Sequence, residues 1–308
     1  MNYFDLHCDT IAECCNHKVS IWENDLQLCV KRGSAIKNWV QVYAIWMDDT
    51  LTDERAYAYF KEVQDYFKKE VGNHSEEIVF CTSSQEIKEG LEKGRRVAIL
   101  AIEGSKALGG KLERVEEFYN QGIRLMTLTW NGKAAVGDGC MVEGAEGLTS
   151  FGRQVVLKMN ELGMIVDVSH LAEKGFWDIV NISEKPFIAT HSNSKSVCNH
   201  PRNLTDEQFK IMVERKGLVG MNFYPVFING TDEADIKELL SHIDHFIALG
   251  GEDIIAMGSD FDGAKMPRDL QGIQDIDYLY QLLVERYGRK QADKLYFDNA
   301  NRFFKENL

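Results

Sequence analysis

The sequence predicts an α/β protein, a (β/α)8 barrel of the TIM type, formed as a single domain over residues 1–308 with extra helices at its C-terminus. Short apolar runs alternate with longer amphipathic stretches along the whole chain, which is typical of a parallel sheet covered by helices. Eight such runs are present, and eight parallel strands close into a barrel. An open, doubly wound sheet is the alternative, but no glycine-rich nucleotide loop follows any run.

The elements follow from the hydrophobic pattern in chain order. The segments between the apolar runs carry apolar residues at three- to four-residue spacing, as in FGRQVVLKMNELG, where Gly163 is expected to end the helix. Thr205 is expected to cap the helix that begins TDEQ. The last two helical stretches are expected to form an outer cover. The predicted strands span residues 3–8, 38–46, 97–102, 124–129, 164–168, 187–190, 218–223 and 254–258.

Bulk composition excludes several classes of function. The net charge of −13 disfavours nucleic acids and anionic membranes as partners, because both favour a basic surface. The N-terminus MNYFDLHCDT lacks the pattern of a signal peptide, and no apolar run is long enough to span a membrane. Seven cysteines without a CxxC pair are expected to be reduced thiols. These features predict a cytoplasmic protein with no membrane and no nucleic-acid partner.

Potential metal ligands follow the predicted strands. In a barrel the C-terminal strand ends meet at one face, so these side chains are expected to converge there. Imidazole and carboxylate together suit Zn²⁺, and six ligands exceed the needs of one tetrahedral ion, which indicates a metallohydrolase with two ions sharing a carboxylate. Because alternate residues of a strand face the same side, His7 and Asp9 would point towards the same ion and Cys8 would point away from it. The six residues are His7, Asp9, Glu103, His170, His191 and Asp260.

A set of short motifs carries a family resemblance. HCD, AIEG, LTLTW, DVSH, THSN, PRNL and GSDFDG occur in the order found in the membrane (renal) dipeptidase family of the amidohydrolase superfamily. The chain resembles that family over nearly its whole length. The resemblance implies a binuclear zinc dipeptidase that hydrolyses dipeptides with a free C-terminal carboxylate through a metal-bridging hydroxide. It implies two Zn²⁺, with Mn²⁺, Co²⁺ or Fe²⁺ as alternatives, a small dipeptide as substrate, and by analogy it allows a homodimer.

The resemblance also implies roles for the ligands. The first ion would be held by His7, Asp9 and Asp260, the second by His170 and His191, and Glu103 would bridge them. Asp260 and Glu103 would be catalytic, with Asp260 carrying a proton from the attacking water to the leaving amine.

Four further residues are expected to bind substrate. Arg202 matches the family position that clasps the free carboxylate, a task that suits the two-pronged guanidinium. Tyr224 is expected to line the pocket. Trp130 stands where the family has a histidine that binds the scissile carbonyl, and indole cannot accept a proton. Asn131, next to it, is expected to supply a neutral donor instead.

Two other functions remain open from the sequence. The chain could be an amidohydrolase-type enzyme that uses the same centre on another amide, lactam or ester. It could also, less favourably, be a non-catalytic metal-binding protein. Serine and cysteine nucleophiles are not supported, since there is no G-x-S-x-G elbow. His242 and His245 are expected to lie on an exposed or interface helix face, and Asp262 is expected to serve structure alone.

Overall fold

Eight parallel strands close into a barrel in the computed structural model, which describes residues 1–308. The prediction of a (β/α)8 barrel is confirmed. The strands of the molecule are β1 (Tyr3–Cys8), β2 (Trp39–Trp46), β3 (Ile78–Phe80), β4 (Arg96–Glu103), β5 (Ile123–Thr127), β6 (Lys133–Ala134), β7 (Gly137–Asp138), β8 (Ile165–Asp167), β9 (Ile188–Ala189), β10 (Leu218–Met221) and β11 (Ile255–Met257). The barrel runs β1–β2–β4–β5–β8–β9–β10–β11, and β11 pairs with β1 to close it.

Three strands lie outside the barrel and were not predicted. β3 pairs in parallel with the start of β4, and β6 and β7 form a small antiparallel hairpin after β5. These strands have only two or three residues. Such lengths are too short for hydrophobic alternation to mark them in the sequence.

Helices cover the outside of the barrel and follow the predicted segments. Gly163 ends α5 with a φ of 77°, and Thr205 and Gln208 form the reciprocal capping box of α7. None of the helices combines the length and apolarity needed to cross a bilayer. They are α1 (Thr10–His17), α2 (Asp53–Asn73), α3 (Ser84–Glu92), α4 (Glu113–Asn120), α5 (Ser150–Leu162), α6 (Glu173–Ile182), α7 (Asp206–Glu214), α8 (Pro225–Asn229), α9 (Leu239–Ala248), α10 (Ile276–Tyr287), α11 (Arg289–Asp293) and α12 (Asn299–Asn307).

The interior of the barrel is a small apolar cluster of its own. It contains Phe4 and Leu6 of β1 and residues of like phase from the other barrel strands. Phe303 and Phe304 of α12 belong to the same cluster, and the ring of Phe304 lies 4.8 Å from that of Phe4. Since β1 begins there, α12 closes the N-terminal end of the barrel. The last helix, α12, thus packs into the N-terminal end of the barrel like a plug, and it also belongs to the predicted outer layer of helices.

An irregularity in β1 positions the first ligand. Asp5 pairs with Gln41 and Cys8 with Tyr43, so three steps of β1 oppose two of β2, which is a β-bulge. Leu6 lies in the interior cluster, whereas Cys8 lies in the outer cluster with Tyr43. The extra residue lets His7 turn to the barrel mouth although its neighbour Leu6 also faces inward.

The plug gives a prediction about stability. Replacing Phe304, which is 1% exposed, by alanine removes a ring from the interior cluster and is expected to lower the free energy of unfolding by about 3 kcal/mol. Urea unfolding would measure the change, with Lys305→Ala on the exposed face of α12 as the control. Equal stabilities of the two variants would show that α12 does not contribute to the core.

Candidate metal centre

The six predicted ligands meet at the C-terminal mouth of the barrel. Glu103 is the last residue of β4, and the others follow or end β1, β8, β9 and β11. Five of the six are buried, and Asp260 is partly exposed. Their ligand atoms form three overlapping groups within which all atoms lie within 4.8 Å of one another: His7, His191 and Asp260; Glu103, His170 and His191; His7, Asp9 and Glu103.

Glu103 lies between two sets of ligands. Its Oε2 lies 3.4 Å from Nε2 of His7, while its Oε1 lies 2.9 Å from Nε2 of His170 and 3.5 Å from Nε2 of His191. Each carboxylate oxygen therefore faces a different set. This is the geometry that a carboxylate needs to bridge two cations.

The residues present fit a bound cation. Nε2 of His7 lies 3.5 Å from Oδ2 of Asp9 and 3.8 Å from Oδ1 of Asp260. Nε2 of His7 and Oδ1 of Asp9 are both buried without a hydrogen-bond partner. Buried polar atoms without partners cost free energy, and a cation between these two atoms would satisfy both.

Asp9 reaches the centre in a way that strand alternation did not predict. It lies beyond the end of β1, at the N-cap of α1, with φ −95° and ψ 4°. The turn into α1, rather than a regular two-residue repeat, therefore brings its carboxylate beside His7. Cys8 points into the outer core, as expected.

Burial and mutual charge shift the ionisation of the cluster. Burial, followed by the neighbouring Glu103, raises the pKa of Asp9 to about 8. Burial, assisted by His7 and Arg202, lowers the pKa of His191 well below its usual value. Burial opposes ionisation of Glu103, but the neighbouring imidazoles of His7 and His170 outweigh it and hold the Glu103 pKa well below its usual range. A neutral imidazole and an ionised carboxylate are the forms that bind metal.

Two ligands have a strained backbone. His170 has a φ of 66° and Asp260 a φ of 64°, in the left-handed region that residues other than glycine seldom adopt. Such conformations cost free energy and are found mainly at functional sites. They occur here at the turns that follow β8 and β11, where the chain must bring a side chain back over the barrel mouth.

Hydrogen bonds fix the orientation of the second set of ligands. Nδ1 of His170 donates to Oδ1 of Asn131 over 2.9 Å, and Nδ1 of His191 donates to Oγ1 of Thr190 over 2.8 Å. Thr190 in turn donates to Oδ2 of the buried Asp167 over 2.6 Å. In each ring the N–H therefore lies on Nδ1 and the lone pair of Nε2 faces the centre, where the two Nε2 atoms lie 3.0 Å apart. This is the arrangement by which outer partners orient metal ligands. Asn131 was expected only as a substrate donor, and its bond to His170 was not predicted.

Asp260 is held by one of its two oxygens. Nδ2 of Asn222 donates to Oδ2 of Asp260 over 2.9 Å, so Oδ1 is the oxygen that faces His7. Asn222 follows β10, and strand-end reasoning applied to MNFYP could have found it, because this position borders the same barrel mouth.

A cavity of about 530 Å³ opens above the centre. Asp9, Glu103, His170 and Asp260 form its floor. Three of the residues expected to bind substrate line it, and so does a tryptophan that the sequence analysis missed: Trp130, Asn131, Tyr224 and Trp46.

The two tryptophans of this cavity pack together. Trp46 and Trp130 make an edge-to-face contact with ring centroids 5.1 Å apart. Trp46 is the last residue of β2 and pairs with Glu103 of β4. Its position at a strand end is the signal that could have identified it.

Arg202 faces a second cavity, of about 450 Å³, which shares His170 with the first. The side chain is buried, donates to the backbone oxygen of His191 over 3.2 Å and lies 5.2 Å from the centre of the Phe227 ring. Phe227 lines the first cavity. Arg202 therefore lies beside the metal centre at the border of the two cavities.

The remaining polar candidates have structural partners. Asp262 accepts hydrogen bonds from Thr10 over 2.5 Å and from the backbone N–H of Gln27 over 2.6 Å, which ties its loop to the N-terminal segment. His245 bonds to Asp206 over 2.8 Å. The expectation of an exposed helix face is wrong for His242, which is fully buried and bonded to two backbone groups, because α9 turns that residue towards the core.

The sequence matches a known family model. The model of the membrane dipeptidase family (peptidase family M19) matches residues 1–307. A protein of Klebsiella pneumoniae, known as an uncharacterized protein in the pqqA 5′ region, is 32% identical over 251 residues, which cover 77% of this chain and 92% of that protein.

Solved structures agree with the family match. A dipeptidase AC, a metallopeptidase of family M19, shares 26% identity with a TM-score of 0.93, over 100% of this chain and 98% of its own. A metallopeptidase from Rhodobacter sphaeroides, bound to a phosphinate mimic of the dipeptide L-Ala-D-Ala, shares 25% identity with a TM-score of 0.93, over 100% of this chain and 99% of its own. The chain described here thus belongs to the membrane dipeptidase family, peptidase family M19, and is a metallo-dipeptidase.

Proposed function

We propose that this chain is a binuclear zinc dipeptidase that hydrolyses the peptide bond of dipeptides with a free C-terminal carboxylate. The observation that carries the proposal is the position of Glu103, whose two oxygens face two different sets of ligands. The similar enzyme from Rhodobacter sphaeroides binds a dipeptide mimic, which supports a substrate of that size. Manganese, cobalt or iron would use the same imidazoles and carboxylates.

The chain's own residues would hold the ions in two sets. His7, Asp9 and Asp260 would hold one, His170 and His191 the other, and Glu103 would serve both. When bound, the ions would supply a hydroxide nucleophile at neutral pH and polarise the scissile carbonyl.

Asp260 is suited to carry the proton. Its Oδ2 is engaged by Asn222, so the carboxylate cannot rotate freely, while its Oδ1 faces the centre. Oδ1 would accept the proton of the attacking water and deliver it to the leaving amine nitrogen. A carboxylate held at a fixed angle at the edge of the centre would suit general acid–base catalysis, which needs the proton carrier within hydrogen-bond reach of both atoms.

Arg202 would bind the free carboxylate of the substrate. Its guanidinium has only one hydrogen bond, to the backbone of His191, and its buried Nε has none. A carboxylate would satisfy these donors in the two-pronged arrangement that arginine favours. Because Arg202 lies beside His170, such a clamp would place the peptide bond over the metal centre and the C-terminal residue in the second cavity.

Tyr224 and the tryptophan pair would contact the rest of the substrate. By the resemblance of LTLTW to the family motif, Trp130 would replace a substrate-binding histidine, and its N–H can donate to a carbonyl oxygen but cannot take a proton. Any proton transfer therefore falls to Asp260, and Trp130 would act through packing and a single donated hydrogen bond.

The dipeptidase proposal predicts a strong dependence on the free carboxylate. Zinc-loaded protein is expected to hydrolyse Ala-Ala, to lose this activity on chelation, and to hydrolyse Ala-Ala amide with a kcat/KM at least about tenfold lower, because Arg202 then lacks its anionic partner. In Arg202→Met the kcat/KM values for Ala-Ala and Ala-Ala amide should lie closer together than in the wild type. Equal turnover of acid and amide would contradict the carboxylate clamp, and hydrolysis only of lactams or esters would contradict the dipeptidase reading.

Glu103 is predicted to be required for binding of the metal pair. Glu103→Gln keeps the shape of the side chain but removes the charge that offsets repulsion between two cations, so the variant is expected to bind at most one ion. Metal analysis of purified protein by mass spectrometry would measure this. Glu13→Gln is the control, since Glu13 lines the same cavity but bonds to Asn16 and His17. Two ions in Glu103→Gln would exclude the bridging role.

Asn131 is predicted to position His170. Asn131→Ala removes the acceptor that holds Nδ1, and metal affinity is expected to fall about tenfold or more. Asn131→Asp keeps an acceptor and should restore the affinity. Competition with a chromogenic chelator would measure both. Wild-type affinity in the alanine variant would show that His170 needs no such partner.

A further inference from the structure

The second cavity is electrostatically positive. Arg202 and Lys195 line it, together with the N-terminal end of α6 at Ala172, Glu173 and Lys174. No side chain caps that helix terminus, whose backbone N–H groups carry partial positive charge. The only acid in the lining is Glu173, which is exposed. A cavity of this kind favours an anionic group.

Lys195 is the unpaired cation of this lining. It is half-buried, and none of the ion pairs or side-chain hydrogen bonds of the molecule includes its ammonium. Asp206 and Glu207 line a shallow surface depression together with Lys195, but Asp206 is bonded to Ser196 and His245, and the exposed Glu207 makes no ion pair with Lys195. Lys174 differs, because it is exposed and its ammonium lies 2.9 Å from the carboxylate of Glu146.

We propose that Lys195 makes this enzyme selective for dipeptides whose C-terminal residue carries an acidic side chain, an inference that rests on the proposed dipeptidase function. Arg202 binds the main-chain carboxylate of that residue, so its side chain extends into the same cavity. Leu171 and Trp177 contact the methylene part of the side chain. Lys195 and the uncapped backbone N–H groups at the start of α6 then bind the terminal carboxylate.

In the proposed complex the two carboxylates of the substrate bind to different cations, the main-chain carboxylate to Arg202 and the side-chain carboxylate to Lys195. Arg202 is buried, with an unpartnered Nε, and stands beside the metal centre, which suits the carboxylate that every dipeptide carries. Lys195 is half-buried on a flexible stem, which suits a side chain of variable length. With aspartate or glutamate both cations are paired, whereas with a neutral residue Lys195 remains unpaired.

The test compares charged and neutral dipeptides of the same shape. The kcat/KM of zinc-loaded enzyme is measured for Ala-Glu against Ala-Gln and for Ala-Asp against Ala-Asn. The acidic member of at least one pair is expected to be favoured about tenfold or more, the scale of a charge-assisted hydrogen bond in a partly buried site. Lys195→Met should reduce that ratio mainly through a higher KM for the acidic peptide. Lys195→Arg should retain the preference.

Two further variants sharpen the result. Lys174→Met is the matched control, because Glu146 already pairs with that lysine, and it should leave the ratio within about twofold of wild type. Lys195→Glu should reverse the preference, so that Ala-Lys is favoured over Ala-Gln. A ratio near one in the wild type, or a ratio unchanged in Lys195→Met, would overturn the selectivity. Failure to hydrolyse any dipeptide would instead overturn the dipeptidase function on which it rests.

Discussion

The close packing of three carboxylates and three imidazoles at one end of the barrel is the constraint on which the active end of this molecule depends. Burial raises the pKa of Asp9, and the nearby charge of Glu103 raises it further, because carboxylates packed this closely repel one another. Bound cations would recover that free energy, and they would also satisfy the buried, unpartnered atoms of His7 and Asp9. The left-handed backbone at His170 and Asp260 is strain that the barrel scaffold maintains so that these side chains reach the same point.

Much of this arrangement was predictable from sequence because a parallel barrel has a simple rule. All C-terminal strand ends lie at one face, so polar residues after apolar runs, such as Glu103 and Asp260, must approach one another however far apart they are in the chain. Strand positions followed from the same apolar runs. The rule says nothing about the loops. The bond from His170 to Asn131 and the placement of Arg202 in a separate cavity depend on loop paths that hydrophobic periodicity does not encode.

Local irregularity accounts for the other differences. The bulge in β1 breaks the two-residue repeat, and Asp9 reaches the centre from a helix cap rather than from the strand. His242 is buried because helix α9 packs against the loop after β9, a contact between distant segments. The closure of the barrel by α12 likewise depends on tertiary packing, since a C-terminal amphipathic helix has the same pattern on the side or at the end of a barrel. The hydrophobic pattern of the sequence identifies which residues are buried, but it does not identify the element that each of them packs against.

The proposal that Glu103 joins two metal ions can be tested by anomalous X-ray scattering from a zinc-loaded crystal, recorded above and below the zinc edge. Two zinc peaks are expected, one on each side of the Glu103 carboxylate, the first in contact with His7 and Asp9 and the second with His170 and His191. A single peak, or two peaks that Glu103 does not join, would contradict it.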